Sequence, residues 1–170
     1  MIPRGQNPAA ADARALGTIR RILLATDLAA ASEEAAMQAL DLARDLGSEL
    51  LIVSVIDSGS LLREGSHAGL RVDQVRNGRE AAAQALVSRG RAMGVQVNFL
   101  IWEGDAGEAI VEAGRSEQAD MVVVGSHGRG SVGRFFLGSV SDFVVRHAAS
   151  PVLVVRARGG APSGGSSSPG

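Results

Sequence analysis

The sequence predicts an α/β domain, an open sheet of five parallel strands with helices on both faces. Two observations predict it. Five short apolar runs, Ile19–Ala25, Leu50–Ile56, Val95–Trp102, Met121–Gly125 and Val152–Val155, have strand length, and most are rich in β-branched residues. Most are apolar throughout rather than alternating, the pattern of strands covered on both faces. The second observation is that helical patterns separate them, and strands alternating with helices call for parallel pairing through right-handed crossovers.

The helices follow in order. Ser32–Leu46 sets Ala35, Ala36, Ala39, Leu40, Ala43 and Leu46 on one stripe, with Gly47 as its stop. Val72–Met93 groups Val72, Val75, Ala82, Leu86 and Met93, and Gly94 ends it. Asp105–Ser116 opens with Asp105 and Glu108 at capping-box spacing, and Ser139–His147 repeats that start with Ser139 and Asp142. Pro151 blocks further helix and opens the last strand. The segment Asp57–Arg71 has Gly and Ser but no periodicity, and reads as a long loop.

Composition bounds the function. The 170 residues carry 17 basic and 18 acidic side chains, so no basic footprint for nucleic acid or an anionic membrane exists. With no cysteine, disulfides, thiol catalysis and Cys-based metal sites are excluded. No apolar run nears the ~18 residues of a membrane span, and Met1–Gly17 has no apolar core of a secretory signal. A cytoplasmic location is expected. Residues 1–18 read as a flexible arm. Residues 157–170, nearly all Gly, Ser and Pro, read as a disordered tail. The folded unit is then 19–156.

Ligands of open α/β sheets bind beyond the carboxyl ends of the strands. The first strand ends in Ala25, Thr26 and Asp27; the fourth ends in Gly125, Ser126, His127 and Gly128, with Gly138 and Ser139 opening a helix further on. Glycines here are expected to adopt angles closed to other residues and bare their N–H groups to a phosphate. Ser139, at the helix start, is expected to cap it or to meet the anion that the dipole favours. Arg129 and Arg134 would add charge. Gly128, Gly130 and Gly133 match the dinucleotide pattern G-x-G-x-x-G, but no helix opens directly there and no acidic residue ends the next strand, so the match is accidental.

Gly125, two residues, Gly128, nine residues, then Gly138 and Ser139 resemble the G-2x-G-9x-G-(S/T) signature of the universal stress protein family, in its ATP-binding branch. The resemblance extends over Arg21–Asp27, Leu51–Asp57, Gly104–Ala106 and Ser150–Val155. It implies a sheet in order 3-2-1-4-5, which sets strands one and four side by side. It implies that Val55 lines an adenine pocket and that Asp27 lies near ribose and phosphates, close to a nucleotide-bound Mg²⁺ or Mn²⁺. It further implies that Val124, Gly125, Ser126, His127, Gly128, Arg129 and Gly130, with Gly138, Ser139 and Val140, wrap sugar and phosphates of ATP, ADP or AMP. Ala25 departs from the Pro that many members carry, yet keeps the backbone groups. The family commonly pairs its last strand across a two-fold axis, so a homodimer through Val152–Arg156 is expected, and that apolar edge needs a cover.

Each residue also has a plainer role. Asp27 can cap the turn after its strand, Val55 can be a core residue, and His127 acts by backbone rather than ring. His147 suits the last turn of a helix. His67, His127 and His147 have no ligand spacing, and Trp102 carries no function. Three functions compete: a nucleotide-binding regulator acting with an unidentified protein partner, a slow ATP hydrolase, and a dimeric scaffold without nucleotide. No dedicated base for phosphoryl transfer stands out, so the first is preferred.

Overall fold

A computed structural model describes residues 18–57, 68–126 and 137–156. Five strands, β1 (Arg21–Ala25), β2 (Glu49–Ile56), β3 (Val97–Glu103), β4 (Met121–Gly125) and β5 (Val152–Val155), form one parallel sheet in the order β3-β2-β1-β4-β5. The expected fold and strand order are both present. Helices α1 (Glu33–Leu46), α2 (Ala68–Ala92), α3 (Ala106–Ser116) and α4 (Ser139–His147) connect or follow the strands, and a 3-10 turn, Ala30–Ser32, precedes α1.

The continuous apolar runs have the physical basis expected of them. Along β1, Ile22 and Leu24 face α1 and α2, while Leu23 and Ala25 belong to the core under α3 and α4. β2 divides likewise, Leu50 and Ile52 on one side and Leu51, Val53 and Val55 on the other. Each fully buried Leu, Ile or Val contributes about 1.5–3 kcal/mol, so neither face tolerates a polar residue without a partner.

The helix ends are set locally. Gly47 closes α1 in the left-handed region, φ 65°. Asp105 caps α3, its carboxylate accepting the Glu108 N–H at 3.0 Å. The equivalent expectation for α4 fails: its N-cap is Gly138, with no side-chain cap, and Ser139 is the first helical residue. Asp142 instead pairs with Arg146 at 2.9 Å, one turn on.

Three further boundaries differ. The long helix begins at Ala68, so the last residues assigned to the loop are helical; Gly69 argues against a helix there, and Leu70 is 65% exposed, so no apolar stripe marks that turn. The first strand begins at Arg21 rather than Ile19, because the N–H groups of Arg20 and Arg21 are both held by the Asp120 carboxylate, at 2.8 and 2.9 Å. The third strand runs Val97–Glu103, and Leu46, placed on the buried stripe of α1, is 43% exposed. Asp57–Arg71 otherwise falls largely outside the described residues, as do the arm and the tail. No helix among the described residues is long and apolar enough to cross a membrane.

The Asp120 clasp joins the entries of β1 and β4. Its backbone hydrogen bonds from Arg21 and then Arg20 hold the carboxyl below its ordinary value of 3.8, against the opposing effect of burial. A lowered folded-state pKa gives stability that is complete above the unfolded value and is lost as pH falls through the folded one. Asp120→Asn should therefore lower stability at neutral pH by about 1 kcal/mol or less, the site being exposed. In urea titrations the gap from wild type should close below about pH 4; a gap constant across that range would exclude this origin.

Candidate functional site

The switch in strand order falls between β1 and β4: β1 leads on to β2 on one side, and β4 to β5 on the other. At the carboxyl ends of these strands lies a crevice of about 590 Å³, within the range of small-molecule sites. Nine of the residues singled out from sequence line it: Ala25, Thr26, Asp27, Val55, Val124, Gly125, Gly138, Ser139 and Val140. They come from four separate segments. Ser126 is buried beside it, 3% exposed, and is not in the wall. His127, Gly128, Arg129 and Gly130 lie outside the described residues, as do Arg134 and His67.

The floor is made by the turn after β1. Leu28 adopts φ 58°, a left-handed conformation that costs a leucine about 1–2 kcal/mol. Two side chains hold it: Thr26 Oγ1 accepts the Leu28 N–H at 3.0 Å, and Asp27 Oδ1 accepts the Ala29 N–H at 3.0 Å. Asp27 Oδ1 also accepts the Ser32 hydroxyl at 2.6 Å, tying the turn to the start of α1. The plainer role given to Asp27, holding the turn, is thus real, and the residue lines the crevice as well.

The glycines act differently from expectation. Gly138 sits at φ −62°, ψ 157°, an extended conformation open to any residue, and Gly125 is not among the glycines of positive φ. Nor are all the neighbouring amides offered to a ligand: Ser126 N–H donates to Val155 O at 2.7 Å, and Gly138 N–H to Ser126 O at 2.9 Å. These bonds fasten the end of β4 to β5 and to the start of α4. What opens onto the crevice is the first turn of α4. Its first backbone bond is Asp142 N–H to Gly138 O at 2.9 Å, and among the described residues no side chain caps it. The N–H groups of Ser139, Val140 and Ser141 precede that bond and have no acceptor within the helix, and all three residues line the crevice. Gly107 on α3 sets this helix close: a Cβ there would lie 2.7 Å from the Phe143 ring of α4.

The opposite wall is β2. Thr26 N–H donates to Val53 O, toward β1, and Gly104 N–H donates to Ile56 O, toward β3. Main-chain groups alternate sides along a strand, so those of Val55 point to the side that β1 has vacated. Arg79 of α2 reaches over the sheet edge to this point, its Nη1 donating to Ser54 Oγ at 2.9 Å and to Val55 O. Val53, Asp57, Ala106 and Ile110 complete the wall with Arg79. Val53 was legible as the same-face neighbour of Val55. Arg79 had no local signal, because only the packing of α2 brings it to β2.

Residues 18–156 match the profile of the universal stress protein family. The chain belongs to the universal stress protein family. It is 31% identical over 140 residues to a universal stress protein of Methanocaldococcus jannaschii, covering 81% of this chain and 82% of that one. With a universal stress protein of Thermus aquaticus it shares 33% identity over 138 residues, 81% of this chain and 98% of the other. A solved structure of a family member from Burkholderia pseudomallei superposes with TM-score 0.70 at 27% identity, over 83% of this chain and 98% of that one. The same fold appears in an Arabidopsis thaliana family protein with AMP bound, TM-score 0.62 at 20% identity over 82% of this chain and 92% of that one. It appears again in a universal stress protein in complex with cAMP, TM-score 0.61 at 23% identity, over 82% and 98%. Among the described residues no group of three His, Asp or Glu side chains is placed to hold a metal ion.

Proposed function

We propose that this universal stress protein binds ATP, or its di- or monophosphate, in the crevice and works in the cytoplasm as a homodimeric regulatory switch. One observation carries the reading. The uncapped first turn of α4, with the N–H groups of Ser139, Val140 and Ser141, opens onto a roomy crevice at the β1–β4 switch. Such an end favours an anion by unpaired donors and by dipole. The apolar wall of Val53, Val55, Ala106, Ile110 and Val124 suits a base and sugar. The AMP and cAMP of the two structural relatives are adenine nucleotides on the same fold, which agrees with this choice of ligand.

A Mg²⁺ or Mn²⁺ would come with the phosphates, since such ions keep most ligands from phosphate and water and take one or two from protein carboxylates. Asp27, in the crevice floor, is the carboxylate suited to it. Calorimetric titration of the full chain with ATP, alongside native mass spectrometry, tests the reading. Saturable binding is expected, and its absence with and without Mg²⁺ overturns it.

The dimer rests on β5. Val122 N–H donates to Pro151 O and Ser126 N–H to Val155 O, so Pro151, Leu153 and Val155 face β4. By alternation the main-chain groups of Val152, Val154 and Arg156 face the open edge. Leu153, 38% exposed, adds apolar surface. Val154→Pro removes one edge donor and spares the ladder to β4, and proline is tolerated on edges. Sedimentation should show the dimer weakened by at least about tenfold, the scale of the two hydrogen bonds lost when the two-fold repeats the substitution. A wild type that stays monomeric at micromolar concentration excludes the dimer.

A further inference from the structure

We propose that the amino-terminal half of α2, Leu70–Asn77, is a lid hinged at Gly78 that closes over the crevice when a nucleotide occupies it. This rests on the nucleotide reading above and deepens it, because it names the part of the chain that governs entry and release.

The placement of α2 comes first. Gly90 lies against Val97, the first residue of β3, and Arg76 pairs with Glu103, the last. The helix therefore runs antiparallel to the strands, and the residues before Arg76 stand past the carboxyl edge of the sheet, where the crevice opens. At about 1.5 Å of rise per residue, Leu70 projects about 9 Å beyond that edge.

The two halves of α2 are held differently. Ala83, Leu86, Val87 and Gly90 are buried, and Arg79 fastens the helix to β2 through Ser54 Oγ at 2.9 Å and through Val55 O. Of residues 70–82 none is buried. Helices owe most of their stability to packing, so the amino-terminal half opens at lower cost than the rest. Arg76 ties it to Glu103, but both side chains are partly exposed, and such a pair is weak. Asn77 and Gly78 stand between the halves. A Cβ at Gly78 would meet nothing within 4 Å among the described residues, whereas one at Gly90 would collide with Val97 and Leu40. Gly78 thus lacks the steric reason that Gly90 has, and glycine inside a helix weakens it relative to alanine. Helices bend at such points.

Closure has a surface to gain. Leu70 is the most exposed of the large apolar side chains among the described residues, and Leu137 and Val140 are exposed where they line the crevice. Bending at Gly78 carries the overhanging turns across the mouth. The base and sugar of a bound nucleotide then supply the apolar surface that Leu70 covers. Without a ligand the lid would close on an open gap, so occupancy shifts the balance toward the closed form.

Hydrogen exchange of the full chain by mass spectrometry, with and without ATP, tests the lid beside titration calorimetry and thermal unfolding. In wild type the amides of Val72–Asn77 should exchange at least about tenfold faster than those of Val87–Ala92, and saturating ATP should slow them by about fivefold or more. Gly78→Ala should melt at or above wild type yet bind ATP about fivefold more weakly, the size of alanine's helix preference over glycine. Weaker binding by a more stable protein is the signature, since a glycine of structural role alone would leave affinity unchanged. Wild-type protein that binds ATP without slowing exchange at Val72–Asn77 overturns the proposal, even if Gly78→Ala fails to fold. Unchanged ATP affinity in a folded Gly78→Ala protein also overturns it and leaves nucleotide binding standing. Absence of ATP binding by wild type removes the nucleotide reading and this inference together.

Discussion

Ser139→Pro should leave the fold intact and weaken ATP binding by at least about tenfold, the scale of one lost hydrogen bond to a charged phosphate. Proline is at home in the first helical position, where the missing N–H has no helical acceptor to lose. The residue before a proline must be extended, and Gly138, at ψ 157°, already is. The substitution therefore removes one open amide and one hydroxyl from the crevice without disturbing α4. Thermal unfolding measured beside calorimetry separates the two effects: a matched melting temperature with a large loss of affinity is expected. Full ATP affinity in this variant would mean that the amino end of α4 does not carry the phosphates. A branched residue at Gly138 would not be forced to a forbidden φ, since Gly138 is extended. Ser139 is the sharper probe.

Gly90→Val should destabilise the protein by about 3 kcal/mol, near the upper end for overpacking a core. Gly90 is buried in α2 where that helix crosses β3 and α1. A Cβ built there would lie 2.3 Å from Val97 Cγ2 and 2.8 Å from Leu40 Cδ2. Both neighbours are buried, Val97 at 1% and Leu40 at 0% exposure, so neither has room to swing away. Gly90→Ala should lose less, because the gain in helix propensity, about 1 kcal/mol, offsets part of the strain. Urea denaturation reads both, and a midpoint at or above wild type for Gly90→Val would refute the close packing. The effect should reach the crevice too. Arg79 rides on the same helix, so a displaced α2 moves the guanidinium that sits on Val55 O.

Much of the fold was legible because the central strands have to be apolar on both faces, and a run such as Leu50–Ile56 fits a strand covered on both sides. Helix ends marked by one residue were legible also, as at Gly47 and Asp105. The failures share a cause. Ser139 looks like a cap by type and spacing, but the chain enters α4 through a bond from Gly138 N–H to Ser126 O, which makes Gly138 the cap. Ile19 looks like strand, but a carboxylate about a hundred residues away takes the amides of Arg20 and Arg21. In both places a partner distant in sequence outbid a local preference.

The sequence by itself determined the order of strands and helices, the double-faced burial of the sheet and, through the glycine signature and its neighbours, the family. Local preferences and burial patterns act through neighbours in the chain, so they can be read there. Only the tertiary structure decided which amides stay open to a ligand, with Ser126 and Gly138 engaged in internal bonds and the first turn of α4 without a partner among the described residues. It alone brought Arg79 to Val55, 24 residues earlier. A hydrogen bond across packed elements depends on register and helix placement, and neither is written in any short stretch of residues.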